Sequence, residues 1–177
     1  MRKIFIISFV LISVIFGDNI IISPSRCVLI KPQTPDSINN NRILVLFDLP
    51  LNLANKRIDY AEFSFPTFTR TDSMITIEAY SITKEWDVST VSWNFPWQKP
   101  GGDYDSLEAA RYFLRLQDTK RVKLDVTEIV KQWFSTNNYG LILKRPKREG
   151  GSFKTEIRAL RSVLSDIILK VYVPSLK

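Results

Sequence analysis

The sequence predicts an all-β fold, a sandwich or barrel with one short helix, and three observations carry the prediction. Short runs rich in β-branched and aromatic residues recur along the chain, each closed by Pro, Asn, Asp or Gly. Several runs alternate apolar and polar residues with the period of two that a half-buried strand requires. A single segment carries apolar residues at helical spacing.

Taken in order, residues 20–23 and 27–31 are the first strand candidates, ended by Pro32 and Pro35, and 37–41 is a polar turn. Residues 43–48 (ILVLFD) are apolar on both faces and fit a central strand, closed by Pro50. In the next run Ala61, Phe63 and Phe65 alternate with Ile58, Tyr60, Glu62 and Ser64. The phenylalanine set is the core face, and Pro66 ends the strand. Ile75, Ile77 and Ala79 then alternate with Thr76, Glu78 and Tyr80. Residues 82–97 (ITKEWDVSTVSWNFPW) form an aromatic loop, and 99–105, with Pro100-Gly101-Gly102, a turn. Residues 106–116 mix helix formers (Leu107, Ala109, Ala110) with strand formers (Tyr112, Phe113, Leu114). A strand is assigned there, because the polar flanks leave room for one element.

Val126, Ile129, Val130 and Trp133 fall at i, i+3, i+4 and i+7, one apolar stripe of a helix over about residues 126–134, Val126 to Phe134. Asp125 is placed to cap its first turn, with Glu128 at capping-box spacing. Asn137-Asn138 ends it, and 139–143 is a strand. Residues 144–154 form a basic turn around Gly150-Gly151. Ile167, Leu169, Val171 and Val173 alternate in the last strand, before Pro174.

The length of 177 residues suits one domain, and 45% hydrophobic residues suffice for a core. Residues 1–17 have the layout of a secretory signal: cationic Arg2-Lys3, an apolar run to Phe16, then Gly17. The run is shorter than the roughly 20 residues that span a bilayer. Cleavage after Gly17 is the expectation, with a retained anchor as the competing reading. The mature domain is then 18–177, secreted or at the cell surface, with no stable membrane span. Losing Arg2 and Lys3 leaves 23 basic against 18 acidic residues, a net charge of +5.

No histidine occurs, which removes Ser-His-Asp and Cys-His catalysis and deprives ordinary zinc centres of their usual ligand. Cys27 is the only cysteine, so no intrachain disulfide can form; it reads as a small buried residue, although pairing with another chain or lipid attachment would also use it. Lys144, Arg145, Lys147, Arg148 and Lys154 cluster around the glycine turn. They would suit an anionic polymer, or a solvated hairpin tip; no nucleic-acid motif accompanies them, and no nucleic-acid partner is expected.

Four blocks carry a resemblance to a known family: LVLFDLP at 44–50, ITKEWDVSTVSWNFPW at 82–97, VKLDVTEIVKQWFSTNNYGLILK at 122–144, and the closing block from Phe153 through Ile157, Arg158 and Ser162 to Val173. Together they resemble the DNRLRE-domain proteins, a group that includes carbohydrate-binding modules and relatives of the disaggregatase repeat. The resemblance covers almost all of the mature chain, in order. It implies a jelly-roll-like β-sandwich that is exported and often sits beside carbohydrate-active or cell-surface domains. Some members bind polysaccharide, including alginate-type polymers. This chain departs from the commonest setting. No catalytic partner domain is expected beside it, and its last block lacks a well-formed proline where Ser165-Asp166 precede the final strand.

An aromatic ring can stack on the C–H face of a sugar or anchor a core. Trp86, Trp93 and Trp133 read as core anchors. Trp97 and Tyr104 flank the Pro-Gly-Gly turn and are candidates for exposed sugar-stacking residues, with Tyr80 beside them. Lys144, Arg145, Lys147 and Arg148 would pair with acidic groups of such a ligand. Asp87 reads as an acceptor for loop N–H groups. Asp103 and Asp105 offer oxygen ligands for a structural calcium; no other cofactor is expected. Nothing places two carboxylates around a cleft, so no enzyme is expected. The function expected is polysaccharide binding, with a structural or assembly module among protein partners at the cell surface as the alternative.

Overall fold

A computed structural model describes residues 18–32, 41–66, 74–115, 121–146 and 166–174. In chain order the strands are β1 (Asp18–Ile22), β2 (Arg26–Ile30), β3 (Arg42–Leu46), β4 (Tyr60–Pro66), β5 (Met74–Ile82), β6 (Tyr104–Arg115) and β7 (Arg121–Asp125). Then come α1 (Thr127–Trp133), β8 (Leu141–Lys144) and β9 (Ile168–Val173). They form a four-stranded sheet in the order β1-β9-β4-β7 and a five-stranded sheet in the order β2-β3-β8-β5-β6. Every pairing is antiparallel. Except at β2–β3 and β5–β6, each successive strand lies in the other sheet, so most paired strands are distant in sequence. This is a jelly-roll-like β-sandwich with one short α-helix among the described residues, the all-β class that the strand pattern predicts and the jelly-roll form that the resemblance implies.

Between the sheets lies the main core. The four-stranded sheet contributes Ala61, Phe63, Val122, Leu124, Leu169 and Val171, and the other contributes Val45, Ala79, Leu141 and Leu143. Phe47 and Phe63 meet edge to face at 5.8 Å. Helix α1 closes one end with Ile129, Val130 and Trp133, whose indole N–H donates to Ser81 Oγ over 2.9 Å. In β3 both Leu44 and Val45 are fully buried, on opposite faces. A second cluster, on the outer face of the five-stranded sheet, explains this. Ile30, Leu44, Tyr80, Ile82 and Ile142 pack there against Trp86 and Trp97 of loop 83–103.

Several local expectations need correction. Residues 121–125 are a strand, β7, a segment to which the sequence pattern assigns no element of its own. Val122 and Leu124 are fully buried and alternate with Arg121, Lys123 and Asp125, but five residues give a period-two signal too short to stand out. The helix starts at Thr127, and the capping box does not form. Asp125 Oδ1 accepts the N–H and hydroxyl of Thr127, while Glu128 turns to Lys131 at 2.8 Å. Ile58, assigned to the outward face, is buried in the core because it precedes β4 rather than lying in it. No helix among the described residues is long and apolar enough to cross a membrane. Residues 1–17, the expected signal segment, lie outside the described residues.

Candidate functional site

Loop 83–103 roofs the outer face of the five-stranded sheet, and most of the predicted site residues meet beneath it. The indole N–H of Trp86 donates to the Tyr139 carbonyl over 2.8 Å, and that of Trp97 to the Ser92 carbonyl over 2.8 Å. Arg42 threads the rim: its Nη1 donates to the Gly101 carbonyl at 2.6 Å, and its guanidinium lies 4.9 Å from the Trp93 ring and 5.7 Å from that of Tyr104. Tyr80 and Tyr104 are 4.8 Å apart, and Lys144 Nζ sits 4.8 Å from the first ring and 5.4 Å from the second. Glu78, buried at the centre, accepts from Tyr80 Oη at 2.8 Å, Arg111 Nε at 3.1 Å and Lys144 Nζ at 3.1 Å. Burial together with Glu78 pushes the Tyr80 phenol up to about 12.

These groups are satisfied by one another. Trp97, expected at the surface, is only 7% exposed, and its ring packs against the sheet beneath the roof. Lys144, expected to face an anionic polymer, has 10% of its side chain exposed and is already paired. The physical reason is register: Lys144 lies opposite Glu78, and Arg111 opposite Glu78 from the other side, on one outward row. Tyr104 and Trp93 are half-buried, as is Arg145; Lys147, Arg148 and Lys154 lie outside the described residues.

The two aspartates proposed for calcium are occupied by protein donors. Asp103 accepts the N–H groups of Gln98 at 2.7 Å and Lys99 at 3.0 Å. Asp105 accepts the Leu107 N–H at 2.9 Å and the Gln132 amide at 3.2 Å. No group of three or more His, Cys, Asp or Glu that could hold a metal ion occurs among the described residues. Asp87 Oδ1 accepts both the N–H and the hydroxyl of Ser89, which holds its carboxyl below the usual range. Cys27 packs beside the main core, and burial pushes its thiol up to about 12, so it carries almost no thiolate at neutral pH.

Another site lies beside this cluster and shares Arg111 with it. A cleft of about 490 Å³ opens between α1, the end of β7, the middle of β6 and the start of β4, lined by Asp59, Tyr60, Arg111, Asp125, Glu128 and Lys131 among others. Tyr60 continues from it onto the outward face of the four-stranded sheet. There it pairs in register with Tyr172 of β9, ring centroids 5.4 Å apart and planes tilted by 44°. Both rings are half-buried, leaving part of each to solvent. Tyr60 Oη approaches Glu62 Oε2 at 3.5 Å, and burial with the nearby Glu62, Asp125 and Tyr172 raises its phenol. Glu62 is itself met by Lys123 Nζ at 3.5 Å. The arrangement offers two ring faces beside hydrogen-bonding groups of both signs. Its one trace in the sequence is a tyrosine at an outward position of two strands whose other outward residues are mostly polar.

No protein-family model matches this chain, and no curated protein matches it closely enough to count as a relative.

Proposed function

We propose that this protein is an exported, non-catalytic module that binds polysaccharide at or outside the cell surface, with the ligand lying in the α1 cleft and over the Tyr60–Tyr172 pair. The observation that carries the reading is the double position of Tyr60, which lines a polar cleft and also forms a half-buried aromatic pair on the outward face of the four-stranded sheet. Sugars need both: C–H faces for rings and hydroxyls for polar groups. The resemblance to DNRLRE-domain proteins supports the same reading, as does the signal-like residue pattern of 1–17.

Binding, rather than bond cleavage, fits the state of the carboxylates. Asp125 holds Thr127, Asp59 pairs with Arg57 at 2.9 Å, and Glu128 pairs with Lys131. Each has a structural partner, where a glycosidase needs one carboxyl kept as an acid and its neighbour as a base or nucleophile. Calorimetric titration of the protein against soluble neutral and acidic polysaccharides tests the proposal. Heat of binding to at least one is expected, and no binding to any overturns it.

A second reading has its own observation. Phe95 is 56% and Val88 45% exposed on the roof loop, as a contact for a protein partner in an extracellular assembly would be. Cross-linking to a protein partner that is lost in Phe95→Ser, with no polysaccharide bound, would decide for that alternative.

A further inference from the structure

The geometry points to a ligand class for the α1 cleft: we infer that it takes a single, soluble, uncharged polysaccharide chain, and neither a polyanion nor a crystalline surface. The inference rests on the reading of the cleft as a polysaccharide site and narrows it.

Charge gives the first argument. Asp59, Asp125 and Glu128 line the cleft with Arg111 and Lys131, and Arg57 pairs with Asp59 at 2.9 Å, so three carboxylates stand beside three cations. Lys131 is opposed by Glu128 at 2.8 Å and Arg111 by the buried Glu78 at 3.1 Å. Among the described residues the cleft therefore presents no excess of cations, and a polyanion would meet a carboxylate beside each cation, a juxtaposition that suppresses such partners. An uncharged chain meets the same groups as hydrogen-bond donors and acceptors.

Ring geometry gives the second. Planes 44° apart cannot both lie flat against one planar surface, so a crystalline face can use only one of the two rings. Successive sugar rings of a free chain can turn relative to one another and meet both. The rings also set the direction. Tyr60, Tyr172 and Asn19 are register partners on β4, β9 and β1, a row that leaves the cleft and crosses the strands. Two strand spacings make that row about 10 Å long, enough to extend the cleft beyond a single sugar.

The test uses the full chain and three probes: soluble galactomannan, alginate and microcrystalline cellulose. Affinity electrophoresis reads the first two and sedimentation the third. The expected result is retardation by galactomannan that added salt leaves unchanged. It should weaken about tenfold in Tyr60→Ala and in Tyr172→Ala, roughly the loss of one good ring contact. Melting curves of both variants should match the parent; should Tyr60→Ala unfold, Tyr172→Ala, on another strand, reads the same contact. Salt-sensitive, Tyr60-dependent retardation by alginate, or sedimentation with cellulose, overturns the class while leaving polysaccharide binding in place. Retention by none of the three overturns the class as stated, and the calorimetric titration then decides the broader reading.

Discussion

Lys144 Nζ lies 3.1 Å from Glu78 Oε2 with 10% and 8% of the two side chains exposed, so the outer face of the five-stranded sheet is built around a buried ion pair. The rings of Tyr80 and Tyr104 shelter the ammonium, and Arg111 supports the carboxylate from β6. Removing one partner of such a pair leaves a buried charge, whereas removing both does not. Lys144→Met should cost about 3 kcal/mol in denaturant unfolding, the low end for a buried pair because Arg111 remains. The double variant Lys144→Met, Glu78→Leu should be more stable than Lys144→Met alone. A single variant as stable as the parent would show that the pair is not buried in solution.

The same carboxylate makes stability depend on pH. Burial alone pushes Glu78 up, but the Tyr80 hydroxyl and the Lys144 and Arg111 charges outweigh it and hold the group below its ordinary value. A folded value below the unfolded one means that the contribution is present above the ordinary carboxylate range and is lost as pH falls through the folded value. Acid titrations of unfolding free energy should therefore be less steep in Glu78→Gln than in the parent, while the variant is less stable near neutrality. Equal slopes would contradict the assignment.

The roof loop is held by its tryptophans. Trp97→Ala removes a ring that is 7% exposed and the donor to Ser92, and should cost about 3–5 kcal/mol. Phe95→Ala, on the same loop but largely exposed, should stay within about 0.5 kcal/mol. Thermal melts of the two variants side by side check the contrast. Similar losses would mean that the loop does not pack as a roof.

Gly140 has φ +89, and a Cβ there would sit 2.2 Å from the Val45 carbonyl oxygen. Its own carbonyl accepts the Ile82 N–H at 2.9 Å, so the backbone cannot move away without breaking the entry to β8. Gly140→Ala should destabilise by at least about 2–3 kcal/mol, from the left-handed conformation and the backbone contact together. Chemical denaturation measures it, and a loss below about 1 kcal/mol would be inconsistent with this turn.

The fold was largely legible because its strands announce themselves by period two: Ala61, Phe63 and Phe65 face the core or pack against it, and Leu169, Val171 and Val173 do so in β9. The stripe Val126, Ile129, Val130 and Trp133 likewise packs inward. The candidate site was not legible, for a physical reason. Trp97 looked exposed because it flanks the Pro-Gly-Gly turn, yet the sheet below it is apolar on its outer face too, and Leu44, Tyr80 and Ile142 draw the loop down. That second apolar face is hidden in strands such as β3, which read only as buried on both sides. Tyr60 and Tyr172 sit 112 positions apart, and only the β4–β9 register brings them together.

Ligand contact is proposed for the α1 cleft and not for the tryptophan loop, and amide chemical-shift mapping during titration with a neutral oligosaccharide separates the two. The largest changes should fall on Asp59, Tyr60, Thr127, Lys131 and Tyr172, with Trp86, Trp93 and Trp97 indole signals unmoved. Changes centred on those indoles and on Tyr104, with the cleft silent, would contradict it.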